Sequence, residues 1–285
     1  MAHYLATDLA ELGRYDEAIA VHRRALRDLE RTLGTNHPVV AEAANNLGNL
    51  HSRLGRHELA LELQRKALAI YERAYGADHL RVAAVVNNMG ICLLSLGRLE
   101  EAERRFERVL AIYGPALGED HPDYAQSLNN LANVSLERGD YDRAETLYRR
   151  TLESNESALG PEHPQTAQAY NNLGEAVAAL GRATEAEELF RRSLGVFEEQ
   201  LGPEHLVVSW PVLNLARLHH RRGEPDRAEP LYVRALAIRE AALEPSSEDR
   251  REVVEAYAGF LRDLGRESEA AGITDSLSKP LPTPN

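Results

Sequence analysis

The chain has one cysteine, Cys92, and one tryptophan, Trp210, and only 6% of its 285 residues are aromatic. A lone cysteine excludes an internal disulfide framework, a CxxC redox pair and a cysteine-rich zinc site; within apolar helical sequence Cys92 reads as a small core residue. Basic charge is also short. A net charge of -12 and a pI near 5.4 leave no basic footprint for phosphates, so no nucleic-acid partner is expected. No stretch approaches the roughly 20 apolar residues of a membrane span, and the opening MAHYLATDLAELG has neither a basic n-region nor an apolar h-region. The expectation is a cytoplasmic protein without membrane contact. Catalytic signatures are missing as well: there is no P-loop, GxGxxG or GxSxG, and His57-Glu58 is followed by Leu61 where an HExxH motif needs its second histidine. No enzyme activity, cofactor or bound metal is expected.

What the sequence does have is 43% hydrophobic and 27% charged residues, enough to fold and stay in solution, arranged with a period. Glycine stands at Gly13, Gly55, Gly97, Gly139, Gly181, Gly223 and Gly265, every interval being 42 residues. A fixed period of this size marks a solenoid of stacked units, which is one continuous body whatever its length. A single array over 1–278 is therefore expected, with five regular units over 35–244, a variant C-terminal cap over 245–278 and a proline-rich, disordered tail over 279–285. The chain opens inside a repeat, so 1–34 reads as a truncated first unit and the whole as a piece of a longer protein.

Within one unit, Val40, Ala43, Leu47, Leu50 and Leu54 recur at spacings of three and four and share a helix face. This predicts helix A over about Pro38 to Leu54, opened by proline in its first turn and closed by Gly55. Leu59, Ala60, Leu63, Ala67 and Ile70 predict helix B over about His57 to Tyr75, closed by Gly76. Small residues at fixed places, Gly48, Gly90, Ala132, Gly174 and Ala216 on helix A and an alanine series from Ala18 to Ala228 on helix B, allow close packing of the pair. Acids open helix B and bases such as Lys66, Arg108, Arg150, Arg192 and Arg234 recur further along it. They are expected to form a solvated face, paired at helical spacing.

These residues resemble the tetratricopeptide repeat, and LNNLA from Leu128, LG-x-[DE]-HP from Leu117 and Leu159, and RALAIRE from Arg234 resemble its 42-residue kinesin light chain type. The near-exclusive use of arginine over lysine points to a GC-rich bacterial genome. The resemblance implies an all-α fold, a right-handed superhelical α-solenoid of about seven antiparallel helix pairs, whose A helices line a concave groove holding peptide segments of a partner. Similar arrays also occur in bacterial multidomain proteins with nucleotide-switch or protease domains, so a regulatory sensor segment is the second reading.

On helix A, Glu42, Asn45, Asn49 and Ser52 lie opposite the core stripe and Asn46 lies on the flank. The ladder Asn45, Asn87, Asn129, Asn171 is expected to meet a partner's backbone, an amide being both donor and acceptor; Asn46, Asn88, Asn130, Asn172 and Asn214 are expected to bond between repeats. Asn49 and Asn133 join the groove set. Trp210, Leu213 and Arg217 interrupt the ladder as one stripe, readable as an anchor pocket for a partner side chain or as packing against the preceding connection. His37, His79, His121, His163 and His205 recur once per unit, roughly 10 Å apart by helix dimensions and too far for shared metal coordination, so they are expected to organise turns. His219-His220 has no evident partner.

Overall fold

The computed structural model describes residues 14–245, 247–275 and 277. Residues 1–13 of the expected first unit and the expected tail over 279–285 lie outside them. Among the described residues the regular elements are thirteen α-helices and one 3-10 turn, with no strand. In chain order they are α1 (Tyr15–Leu33), α2 (Pro38–Arg53), α3 (His57–Tyr75), α4 (Leu80–Ser95), α5 (Leu99–Leu117), α6 (Pro122–Arg138), α7 (Tyr141–Leu159), α8 (Pro164–Ala179) and α9 (Ala183–Leu201). After the 3-10 turn Leu206–Val208 come α10 (Ser209–Arg221), α11 (Pro225–Ala242), α12 (Glu248–Asp263) and α13 (Glu267–Asp275). Even-numbered helices are the A helices and odd-numbered ones the B helices. The chain divides into two compact units, Met1–Arg150 and Thr151–Asn285.

Each A helix stops for the same backbone reason. At the end of α2, Arg56 N–H reaches His51 C=O at 2.9 Å and Gly55 N–H reaches Ser52 C=O at 2.9 Å. This is the Schellman arrangement, which needs a left-handed residue at its turn, and Gly55 supplies φ +70. The A helices α2, α4, α6 and α8 also start for one reason. The Nδ1 atoms of His37, His79, His121 and His163 accept the backbone N–H two residues on, at 3.0 to 3.2 Å, as N-caps; His205 does so at 3.4 Å for the 3-10 turn before α10. The histidine ladder is thus a set of turn organisers, and among the described residues no group of side chains could hold a metal.

In the first unit, α2 packs on α3, α4 on α5, and each pair on the next. The closeness within a pair is set by a reciprocal choice of residues. A Cβ on Gly90 would lie 2.6 Å from the Phe106 ring, so glycine on helix A admits phenylalanine on helix B. In the second unit Gly174 and Phe190 repeat this at 2.6 Å. Where helix A carries Ala132 or Ala216, helix B carries Tyr148 or Tyr232 instead. The helix B alanines Ala18, Ala60, Ala102, Ala144, Ala186 and Ala228 are fully buried, and so is Cys92.

Of the helix B bases, Arg24 pairs along its own helix as the sequence spacing suggests, with Asp28 at 3.9 Å, but those that follow do not. Lys66 pairs with Glu30, Arg108 with Glu72 at 2.6 Å, Arg192 with Glu156 at 3.4 Å and Arg234 with Glu198 at 2.6 Å, each reaching back 36 residues to the preceding B helix. Arg150 would find Gly114 at that offset and takes Glu119 at 2.8 Å. The face is solvated, and its charges also tie neighbouring repeats.

In the second unit the variant cap is held by buried arginine. Arg239 is 1% exposed; its Nε donates to Ser209 Oγ at 3.0 Å and its Nη1 to Glu252 Oε2 at 2.7 Å and to the Asp249 carbonyl. Arg250, also buried, pairs with Glu240 at 3.0 Å. These side chains do for α12 what the lost LG-x-[DE]-HP connection does elsewhere.

Candidate partner-binding face

The A helices present their asparagines in pairs, and one hydrogen bond uses both series. In the first unit Asn88 Nδ2 donates to Asn45 Oδ1 at 3.2 Å, and Asn130 Nδ2 to Asn87 Oδ1 at 3.1 Å. In the second, Asn214 Nδ2 donates to Asn171 Oδ1 at 3.0 Å. The separation of a partner-contacting Asn45 series from a stacking Asn46 series therefore fails: the carbonyl half of Asn45, Asn87 and Asn171 is committed to the stack. Asn129 and Asn171 are moreover almost wholly buried. Asn45 and Asn87 stay half-buried, and their Nδ2 groups have no partner among the described residues.

Asn49 and Asn133 are turned inward as well. Asn49 Oδ1 accepts from Gln64 Nε2 at 3.2 Å and Asn133 Oδ1 from Tyr148 Oη at 2.6 Å, so each ties its A helix to the following B helix. Both are half-buried, and between them in the repeat order stands the exposed Ile91.

The stripe Trp210, Leu213 and Arg217 is not one surface. Leu213 is 1% exposed and belongs to the second unit's apolar core with Val212, Ala216 and Tyr232, so it is withdrawn from the groove set. Leu213 takes the repeat position of Asn171, itself only 4% exposed, and with no amide to pair it packs into that core. Trp210 is half-buried. Arg217 gives Nη1 to Glu252 Oε1 at 2.9 Å and lines a cleft of about 510 Å³ with His220, Arg221, Tyr232, Phe260 and Arg262. Sequence reasoning missed His219 and His220. The buried His219 ring is held by Glu224 at 2.6 Å, and His220 Nε2 meets Asp263 at 3.0 Å with its ring edge-on to Phe260. Their partners lie five and more residues away in the next turn and next repeat, where single-helix spacing gives no signal.

Beside Asn171 the ladder becomes charged. Asn171 Nδ2 and Asn214 Nδ2 both donate to Glu175 Oε1, at 2.9 and 2.7 Å. Burial pushes the Glu175 carboxyl above the usual carboxylate range, against these two hydrogen bonds and the field of Arg217. Farther along, burial raises the Glu252 carboxyl less than Arg239 and Arg217 lower it, so it ends below that range.

A family model described as tetratricopeptide repeat matches residues 1–73, 40–114, 81–157, 123–196 and 165–241, and a second of the same description matches 211–280. The chain belongs to the tetratricopeptide repeat family. Solved structures with this TPR fold include BtubC (BKLC) from P. vanneervenii, 24% identical with a TM-score of 0.66, covering 80% of this chain and 91% of that one. The nearly identical TPR-like repeats of a kinesin light chain candidate from Podosopora anserina are 24% identical with a TM-score of 0.60, covering 70% and 95%. Aspartyl phosphate phosphatase F from Bacillus subtilis reaches a TM-score of 0.76 at 15% identity, covering 97% of this chain and 68% of that one. No curated protein matches the sequence. No described helix of this TPR chain is long and apolar enough to cross a membrane.

Proposed function

We propose that this TPR chain is a non-enzymatic scaffold that binds a protein or peptide segment on its A-helix face. The observation that carries the reading is the half-used amide. Asn45 and Asn87 are fixed by their inter-repeat bonds yet keep an N–H2 group without a partner among the described residues. A preorganised donor on a half-exposed side chain is suited to the carbonyls of an extended backbone, since no ordering cost remains to be met on binding. Family membership supports the same role, because TPR arrays are generally binding modules.

The test separates stacking from binding. In Asn87→Asp the carboxylate keeps an acceptor for Asn130 Nδ2 and loses the outward donor; Asn87→Ala loses both. With the whole chain immobilised and a random dodecapeptide library as probe, wild type is expected to enrich binders whose affinity falls about tenfold in Asn87→Asp, for one charge-free hydrogen bond turned repulsive. Thermal unfolding by circular dichroism should be lowered by Asn87→Ala and hardly by Asn87→Asp. A folded Asn87→Asp chain that binds the selected peptides as wild type does would remove Asn87 from the site, and a library that yields no binder would sink the scaffold reading.

A further inference from the structure

We propose that the A-helix face of the second unit reads a cationic side chain of its partner, a lysine or an arginine, through the carboxylate of Glu175. The proposal deepens the scaffold reading and rests on it. Glu175 sits one turn after Asn171 on α8, and both amide donors that orient it end on the same oxygen, Oε1. Its Oε2 atom has no hydrogen bond or ion pair among the described residues and is not sealed from solvent. Arg217, the charged neighbour one repeat on, is engaged instead by Glu252 at 2.9 Å. Glu175 is thus a carboxyl group held in place by neutral amides with no counter-ion of its own, and its burial disfavours the charged form until a cation compensates it.

The level also reverses polarity relative to the first unit. Asn45 and Asn87 present donors, whereas Asn171 spends its donor on Glu175 and the outward group becomes an acceptor. The equivalent positions in the first unit are Asn49, Ile91 and Asn133, none of them charged. A partner carbonyl or carboxylate would be repelled here, while an ammonium or guanidinium group supplies both donor and charge. A metal ion would need more ligands than one carboxylate, and no such group is found among the described residues.

Glu175→Gln keeps an oxygen for Asn171 and Asn214 and so should melt with the wild type, but places an amide where Oε2 was. Among dodecapeptides enriched by the whole wild-type chain, one class is expected to lose about tenfold or more in affinity on Glu175→Gln, and its members to share a lysine or arginine at one position. Replacing that residue by norleucine should weaken binding to wild type by the same factor and to Glu175→Gln by less than twofold. The proposal is overturned if every enriched peptide stays within twofold on Glu175→Gln, or if the sensitive peptides share no basic residue. Selection of no peptide at all overturns the scaffold reading, and this proposal with it.

Discussion

At its asparagine pairs the first unit joins its A helices with neutral amides, the Arg81–Glu42 ion pair of 3.5 Å lying nearer the helix starts, and the second unit adds charge beside the asparagines themselves. Asn45 to Asn88 and Asn87 to Asn130 are single amide bonds on half-buried or buried side chains. From Asn171 onward the chain inserts Glu175, then Arg217 with Glu252, then the fully buried Arg239. One backbone period therefore supports two chemistries. Amides cost less to bury than charges and leave spare donors, whereas charges must be compensated wherever they are buried, so the second unit is the more vulnerable to loss of one partner.

The largest effect should come from Arg239→Ala. Removing a buried cation orphans the Ser209 hydroxyl and leaves Glu252 to Arg217 alone, which is expected to cost about 3 kcal/mol in urea unfolding of the chain. Arg239→Met, which keeps the volume, should cost less. Equal costs for the two would mean that packing rather than charge anchors the cap. Next come Gly90→Ala and Gly174→Ala, one in each unit, expected to lose about 1–3 kcal/mol because the new Cβ meets a phenylalanine ring. Gly48→Ala, whose Cβ would stand 3.1 Å from Gln64 Cγ and 3.2 Å from the Ala60 carbonyl oxygen, should cost less than Gly90→Ala, which Phe106→Leu should rescue. A smaller loss, about 1 kcal/mol, is expected for His121→Ala by thermal melting, as for loss of an N-cap; no change would demote the histidine ladder to an accident of the repeat.

Two titratable groups, one in each unit, should also answer pH in opposite directions. Burial, with Arg23 and Arg56 nearby, lowers the affinity of His51 for a proton, so the unfolded chain binds more protons there. Its contribution is intact above about 6.5, the unfolded value, and is lost as pH falls below it. Glu175 is shifted upward, so the folded chain binds more protons, and its contribution is present below about 4.3 and lost as pH rises through the raised value. Hydrogen exchange of α2 and α8 against pH checks both signs, with His51→Leu and Glu175→Gln expected to flatten the respective slopes. Slopes of the same sign would break the comparison.

The repeat itself was legible from glycines spaced by 42 and from apolar spacing, and α2 and α3 fall within a residue of the ranges read from them. The candidate face was legible only in part. Asn45 and Asn87 stand at the level expected of them, but the hydrogen bond that takes half of each amide comes from a residue 43 positions on, which a helical wheel cannot display. Leu213 was misplaced because a wheel drawn on one helix does not show the neighbouring helices that cover that face. The bases of helix B were assigned to their own helix because spacings of three and four were the only ones visible, while their acids lie 36 residues back.

By itself the sequence determined the period, the helix pairs, their caps and the small residues between them, because each is a local property of backbone conformation or of one helix face. Only the tertiary structure decided which asparagines are spent, that Glu175 keeps an open oxygen, and where Arg239 is buried. Those outcomes depend on the distance between side chains of different repeats, and no pattern within a single helix fixes that distance.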